Sequence, residues 1–412
     1  VLENKQIVVI VTGGIAAYKA PDFVRLLIKS GAEVRVVMTE AAEQFVRPFT
    51  FEVLTKYPVL TEQGAYPDSI GHIHLADWAD LVVVLPATAN TLAKASLGLG
   101  DNEATATLLA MNCPRIFVPA MNNKMWENPA TVNNVNSLRK RGDIVIEPAS
   151  GFLAEGYEGK GRMPEPIEVL QAVKALVAVE MAFADQAKNV LKNSFFKGKK
   201  IVVSAGGTQE AIDPVRFIGN HSSGKMGLAL AHVADLLGAE VTLVMTPTAQ
   251  DLPHLPAIKT RQVKDARQLY QVMHELNEAS DVIIMAAAVS DYRVETPSTE
   301  KIKKNKETDQ DHLQINLVEN PDILKSLSQE GTFLVGFAAE TNHVLDYAKK
   351  KLAAKGIDMI VANDVSQQAI GFSSEDNAVT IISQKGAKTL PQADKMMIAG
   401  GIFAQIAQEM NP

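Results

Sequence analysis

Apolar residues in this chain gather in short unbroken runs, each closed by small or polar residues and followed by a longer amphipathic or alanine-rich stretch. Runs of that length bounded by turn signals read as buried strands, and the stretches between them as helices. In the first half the strands fall at residues 7–11, 34–38, 81–85, 115–118 and 144–146. Regular β-α alternation implies a parallel sheet covered on both faces. Gly31 reads as a helix stop before the second strand, and Thr39 as the N-cap of the next helix. The run from 165 to about 191 reads as a closing helix, and 193–198 as a linker. Beyond it, strands are expected at 201–204, 241–245, 282–285, 313–317, 333–337, 359–361 and 378–382, forming a second, mixed sheet. Residues 295–311 are rich in Lys, Glu, Thr and Asp without apolar period, which predicts a mobile loop or flap. The expected organisation is two α/β domains, 1–192 and 199–412.

Composition agrees with that division. A chain of 412 residues with 47% hydrophobic content exceeds the usual size of a single core. No apolar run is long enough for a membrane helix, and no basic-then-apolar leader opens the chain, so a cytoplasmic protein without membrane partner is expected. The single cysteine, Cys113, excludes an internal disulfide and a cysteine-clustered zinc site. A net charge of −7 argues against nucleic acid as partner, but not against small phosphorylated ligands.

Glycine turns follow the first strand of each half, and such turns let backbone N–H groups approach an anion beside a helix N-terminus. One anionic ligand per half is implied. The first turn, Thr12-Gly13-Gly14-Ile15, lacks the G-x-G-x-x-G spacing of a dinucleotide site. In the second half, Gly219 to Lys225 fits seven positions of a P-loop, but Met226 stands where Ser or Thr would hold Mg²⁺, and no preceding strand is read there.

Longer motifs narrow the reading. GGIAAYK, GHIHLADWADLVVVLPATAN, PAMN and GKGRMPEP resemble the flavin-containing cysteine decarboxylases. DPVRFIGNHSSGKMG, AAAVSDYR, EKIKK, ENPDIL, VGFAAET and ANDV resemble phosphopantothenate–cysteine ligase. Together, and in this order, they resemble the bifunctional enzymes of bacterial coenzyme A biosynthesis. The fold so implied is a flavodoxin-like or Rossmann-type flavoprotein domain followed by a Rossmann-like ligase domain. Decarboxylating an acyl-cysteine leaves a carbanion without an electron sink, so a cofactor must first withdraw electrons, and the resemblance names FMN. It places Gly14, Ile15 and Thr39 near the flavin phosphate, with Pro86, Ala87, Thr88 and Asn90 in the PATAN turn. His72 matches the active-site histidine, although a lone histidine also suits a structural role. Asn122 matches the carboxylate-binding asparagine, with helix capping as its plainer alternative, and Arg162 an anchor for a substrate anion. Glu155 stands where many relatives carry a proton-donating cysteine. A carboxyl with a pKa raised by burial would keep the role; otherwise this half is an impaired or regulatory flavoprotein module.

For the second half, the resemblance implies that 4'-phosphopantothenate is activated by CTP, with Mg²⁺, and then attacked by the amine of cysteine. Residue spacing alone leaves CTP and ATP both open. Asn220 matches the residue handling the acyl-cytidylate, Arg216 one used in the cysteine step, and Lys301 one that forms the intermediate. A solvated basic loop is the plainer reading of Lys301. Nucleotide contacts are implied at Met285, Ala286, Ala287, Asp291, Pro321, Asp322, Ile323, Leu324, Phe337, Lys351 and Lys355. The resemblance also implies a dodecamer of decarboxylase trimers linked by ligase dimers.

Overall fold

A computed structural model describes residues 1–64, 70–184, 191–303, 313–327, 331–340, 344–364 and 374–411. The chain forms two compact units, the first carrying Val1–Val177 and the second Ser194–Leu252 and the residues from Ile258 onward.

In the first unit, β1 (Gln6–Val11), β2 (Glu33–Met38), β3 (Leu81–Ala87), β4 (Arg115–Pro119) and β5 (Ile144–Val145) form a parallel sheet ordered β2-β1-β3-β4-β5. That is the flavodoxin-like order, whose direction reverses between β1 and β3. Every residue of β3 is buried, as is all of β1 after Gln6, because helices cover both faces. The helix Ala20–Lys29 shows why the pattern folds this way: Ala20, Phe23, Val24 and Leu27 recur on one stripe and are buried. Burying a side chain of Phe23's size contributes roughly 1.5–3 kcal/mol. After β5 comes an antiparallel hairpin, β6 (Ala149–Phe152) and β7 (Glu158–Arg162).

The second unit is built on an eight-stranded sheet. In chain order its strands and side hairpins are β8 (Lys200–Ala205), β9 (Gln209–Ala211), β10 (Phe217–Gly219), β11 (Glu240–Met245), β12 (Lys259–Gln262), β13 (Val282–Met285), β14 (Tyr292–Val294), β15 (Leu317–Glu319), β16 (Phe333–Glu340), β17 (Met359–Asp364), β18 (Asp376–Ser383) and β19 (Gly386–Asp394). The sheet runs β12-β11-β8-β13-β16-β17-β18-β19. It is parallel as far as β17 and antiparallel across β18 and β19. Ranked by chain order, the six parallel strands read 3-2-1-4-5-6, the dinucleotide-fold order, which reverses between β8 and β13. The expected mixed sheet is therefore found.

Several expectations change. The strand expected at 313–317 forms instead at Leu317–Glu319, where it pairs with β14 outside the main sheet. A strand does precede Gly219, contrary to expectation, but β10 pairs with β9 rather than entering the main sheet, so the P-loop context is still not met. Thr39 precedes the helix Glu40–Glu43, yet its side chain does not cap it. The closing helix is Pro166–Ala182; residues 185–190 lie outside the described part, as do 304–311 of the expected flap.

Candidate active sites

The first site is a cavity of about 940 Å³ at the carboxyl ends of β1, β3 and β4, on the side where the strand order reverses. Open α/β sheets bind ligands at such a switch point. Gly14, Ile15, Thr39, Thr88, Asn90, Asn122, Glu155 and Arg162 line it, so residues from six separate segments converge. Thr12, which sequence reasoning missed, ties two of these together: its buried Oγ1 donates to the Pro86 carbonyl at 2.6 Å and accepts from the Thr88 amide at 3.2 Å. Pro86 and Ala87 thus support the wall without lining it. Gly13 has no room for a side chain, since a Cβ would fall 2.4 Å from that of Ala41. Thr88 caps the helix Ala89–Leu97, accepting from the Thr91 amide, and the first turn of that helix opens onto the cavity.

The lining offers a free hydroxyl and several charged groups. Thr39 Oγ1 is shielded from solvent and has no hydrogen-bond partner, an arrangement that leaves a hydroxyl for a bound group. Lys19 Nζ and Arg162 both reach Glu165 Oε1, at 2.7 and 3.7 Å, and Lys94 pairs with Asp101 at 2.8 Å. Lys19 and Lys94, also missed in the sequence, add positive charge to the wall.

Asn122 takes the plainer of its expected roles, helix capping, and lines the cavity. Its Oδ1 accepts from the Lys124 amide at 2.9 Å, capping the helix Asn123–Trp126, while its Nδ2 donates to Tyr157 Oη at 2.7 Å. Tyr157 belongs to the turn of the β6–β7 hairpin, held by a hydrogen bond from the Leu153 amide to its carbonyl. Glu155 lies exposed on the same turn, so the burial that was to raise its pKa is not met. His72 stands outside the cavity on the helix Gly71–Trp78, its Nδ1 3.1 Å from Glu103 Oε2. Glu103 in turn gives its amide N–H to Glu62, which does line the cavity.

The second site is a cavity of about 800 Å³ at the carboxyl ends of β13, β16 and β17, closed by the Gly219–Gly227 segment that follows β8 across the switch point. Asn220, Met285, Ala286, Ala287, Asp291, Pro321, Asp322, Ile323, Leu324, Phe337, Lys351 and Lys355 all line it. Backbone bonds lace its two main loops: Ala288 N–H to the Gly206 carbonyl at 2.8 Å, and Thr208 N–H to the Ala288 carbonyl at 3.2 Å. Asn220 Nδ2 donates to the Val289 carbonyl at 2.9 Å. The helix Lys225–Leu236 begins beside this loop, and Gly227 packs so closely on β8 that a Cβ would lie 2.8 Å from the Ser204 carbonyl oxygen. The Asp322 carboxylate caps the short helix Ile323–Ser326 and also pairs with Lys355 at 3.2 Å. The helix N-terminus is therefore occupied by a carboxylate rather than open to phosphate.

Two further residues complete this wall. Asn363, at the end of β17, has an Oδ1 shielded from solvent and unpartnered. Lys395, 7% exposed, donates to the carbonyls of Ser374 and Asp376, and burial pushes its pKa below the ordinary lysine value. Arg216 and Lys301 are not brought to the cavity. Arg216 grips the buried carboxylate of Asp213, with Nε at 3.0 Å, and donates to the Ile302 carbonyl beside the exposed Lys301. That guanidinium, with backbone N–H groups from Val215, Arg216 and Ile302, holds the Asp213 pKa well below the usual carboxylate range. Among the described residues no cluster of three His, Cys, Asp or Glu side chains can hold a metal, and no helix is long and apolar enough to cross a membrane.

Residues 1–178 match the flavoprotein family, and 196–410 match the DNA/pantothenate metabolism flavoprotein C-terminal domain. The coenzyme A biosynthesis bifunctional protein CoaBC of Vibrio cholerae is 41% identical over 414 aligned residues, covering 99% of each chain. Its counterparts in Bacillus subtilis and Escherichia coli are each 41% identical over 411, covering 98% of this chain and 97% of theirs. With two switch-point cavities and relatives matching it from end to end, this chain belongs to the family of coenzyme A biosynthesis bifunctional proteins.

Proposed function

We propose that residues 199–412 join 4'-phosphopantothenate to cysteine through an acyl-cytidylate formed from CTP, and that residues 1–192 decarboxylate the product to 4'-phosphopantetheine with FMN. Residues 193–198 link them. The observation that carries the reading is the convergence of both sets of motif residues on cavities at the two topological switch points. FMN supplies the electron sink when bound. Gly14, Ile15, Thr39, Thr88 and Asn90 would hold it, backed by Pro86 and Ala87, with the free Thr39 hydroxyl and the first-turn amides of the Ala89–Leu97 helix available to its phosphate. Arg162 anchors a substrate anion and Asn122 its carboxylate, through the second Nδ2 hydrogen. His72, which stands outside the cavity, keeps its proposed role through the Glu103 carboxylate at its Nδ1 and the Glu62 that joins Glu103 to the cavity wall.

In the second cavity, Asp291 accepts the exocyclic amine of cytosine, and Lys351 and Lys355, on one face of the helix Val344–Lys355, meet phosphate. Mg²⁺ enters on the nucleotide's phosphates. Asn220 holds the acyl-cytidylate, while Lys301 and Arg216 act from the loop that Asp213 anchors. Exposed apolar side chains in both units, among them Phe49, Leu97 and Phe217, support a homo-oligomer, which we take as the dodecamer in the cytoplasm. Pyrophosphate release tests the ligase assignment: it is expected with phosphopantothenate and CTP before cysteine is added. Equal release with ATP would remove the CTP assignment.

A further inference from the structure

We propose that Tyr157, rather than Glu155, supplies the last proton of the decarboxylation, passing its phenol hydrogen to the substrate carbon that has lost CO₂. The inference rests on the proposed role of the first cavity as the decarboxylase site. Asn122 marks where the substrate carboxylate sits, and the carbon to be protonated is the one that bore it. Tyr157 Oη lies 2.7 Å from Asn122 Nδ2, which puts a hydroxyl beside that carbon's position. The bond runs from the amide to the phenol oxygen, so the phenol's own hydrogen is left for a third group. The turn that carries it is fixed twice, by Leu153 N–H to the Tyr157 carbonyl at 2.8 Å and by Gly156 N–H to the Leu153 carbonyl at 3.0 Å. Glu155 and Tyr157 are both exposed on this turn, and what sets Tyr157 apart is its bond to Asn122. A phenol is, like the thiol of other family members, a weak-acid donor of the kind used in general acid catalysis.

The step balances. Loss of CO₂ leaves its bonding pair on the α carbon, shared with sulfur as an enethiolate. The Tyr157 O–H bond breaks, the proton joins the α carbon, and the phenolate regains a proton from solvent. The neighbouring thioaldehyde carbon then recovers as hydride the two electrons removed at the outset, the flavin being their acceptor and donor.

The test uses the full flavin-loaded chain and phosphopantothenoylcysteine. In a single turnover, Tyr157→Phe is expected to release CO₂, keep its flavin bleached, and accumulate an enethiol two hydrogens lighter than phosphopantetheine. Formation of phosphopantetheine itself falls by about 100-fold or more. Unchanged flavin content and ligase rate verify folding. Accumulation of the lighter product by Glu155→Gln instead overturns the proposal, as does loss of CO₂ release in Tyr157→Phe, which would make the tyrosine only a positioning residue for Asn122. Full decarboxylation by Asn122→Ala would instead overturn the underlying reading of the cavity.

Discussion

Thr39 spends a covered hydroxyl on no partner within the protein, so removing it should cost ligand binding and little else. Thr39→Val is expected to weaken FMN retention by about tenfold, one hydrogen bond's worth, with an unchanged melting temperature in the flavin-free protein. Flavin absorbance after dialysis and a thermal melt check both parts. Asp213 makes the opposite case, a buried carboxylate whose partners are all internal. Its pKa is depressed in the fold, chiefly by Arg216, below an unfolded value of about 3.9. The stabilisation is therefore complete above that value and lost as pH falls towards the folded one. The melting-temperature gap between wild type and Asp213→Asn should be flat above about pH 5 and narrow below about pH 4. A gap that persists unchanged into stronger acid would show that the charge is not what stabilises.

At the level of elements, two glycines set how a hairpin and a helix approach the sheets. A Cβ on Gly161 would lie 2.0 Å from the Met121 carbonyl oxygen, against the segment that presents Asn122, and Gly227 has the equivalent constraint against β8. Gly161→Ala is expected to abolish decarboxylation and spare the ligase, and Gly227→Ala to do the reverse, as read by product mass. The central strands were legible in the sequence because β1, β3, β8 and β13 are buried on both faces and so read as continuous apolar runs. Edge strand β12, Lys-Thr-Arg-Gln, is exposed at every position and has no apolar signal; only its pairing with β11 makes it a strand. The pairs β6–β7 and β9–β10 escaped notice because their strands are only three to five residues long and mostly not buried. Most motif positions line the two cavities, although His72, Arg216 and Lys301 do not; Thr12, Lys19 and Lys395 were not legible, because each matters through a contact with a distant segment. Asn363 did leave a signal, since a polar residue ending a buried parallel strand stands where open sheets bind ligands.

On the scale of the whole molecule, the chain joins two sheets with different strand orders, each with its cavity at its own point of reversal. That arrangement makes the two reactions separable by mutation but consecutive in substrate, since the acyl-cysteine made by one half is consumed by the other. Glu155 stands where the resemblance implies a proton-donating cysteine, which makes the decarboxylation the reaction most in need of test. The most direct measurement incubates the purified, flavin-loaded chain with 4'-phosphopantothenate, cysteine, CTP and Mg²⁺ and follows product mass over time. Transient 4'-phosphopantothenoylcysteine giving way to 4'-phosphopantetheine is the predicted course. Accumulation of the carboxylated thiol with no phosphopantetheine would contradict it.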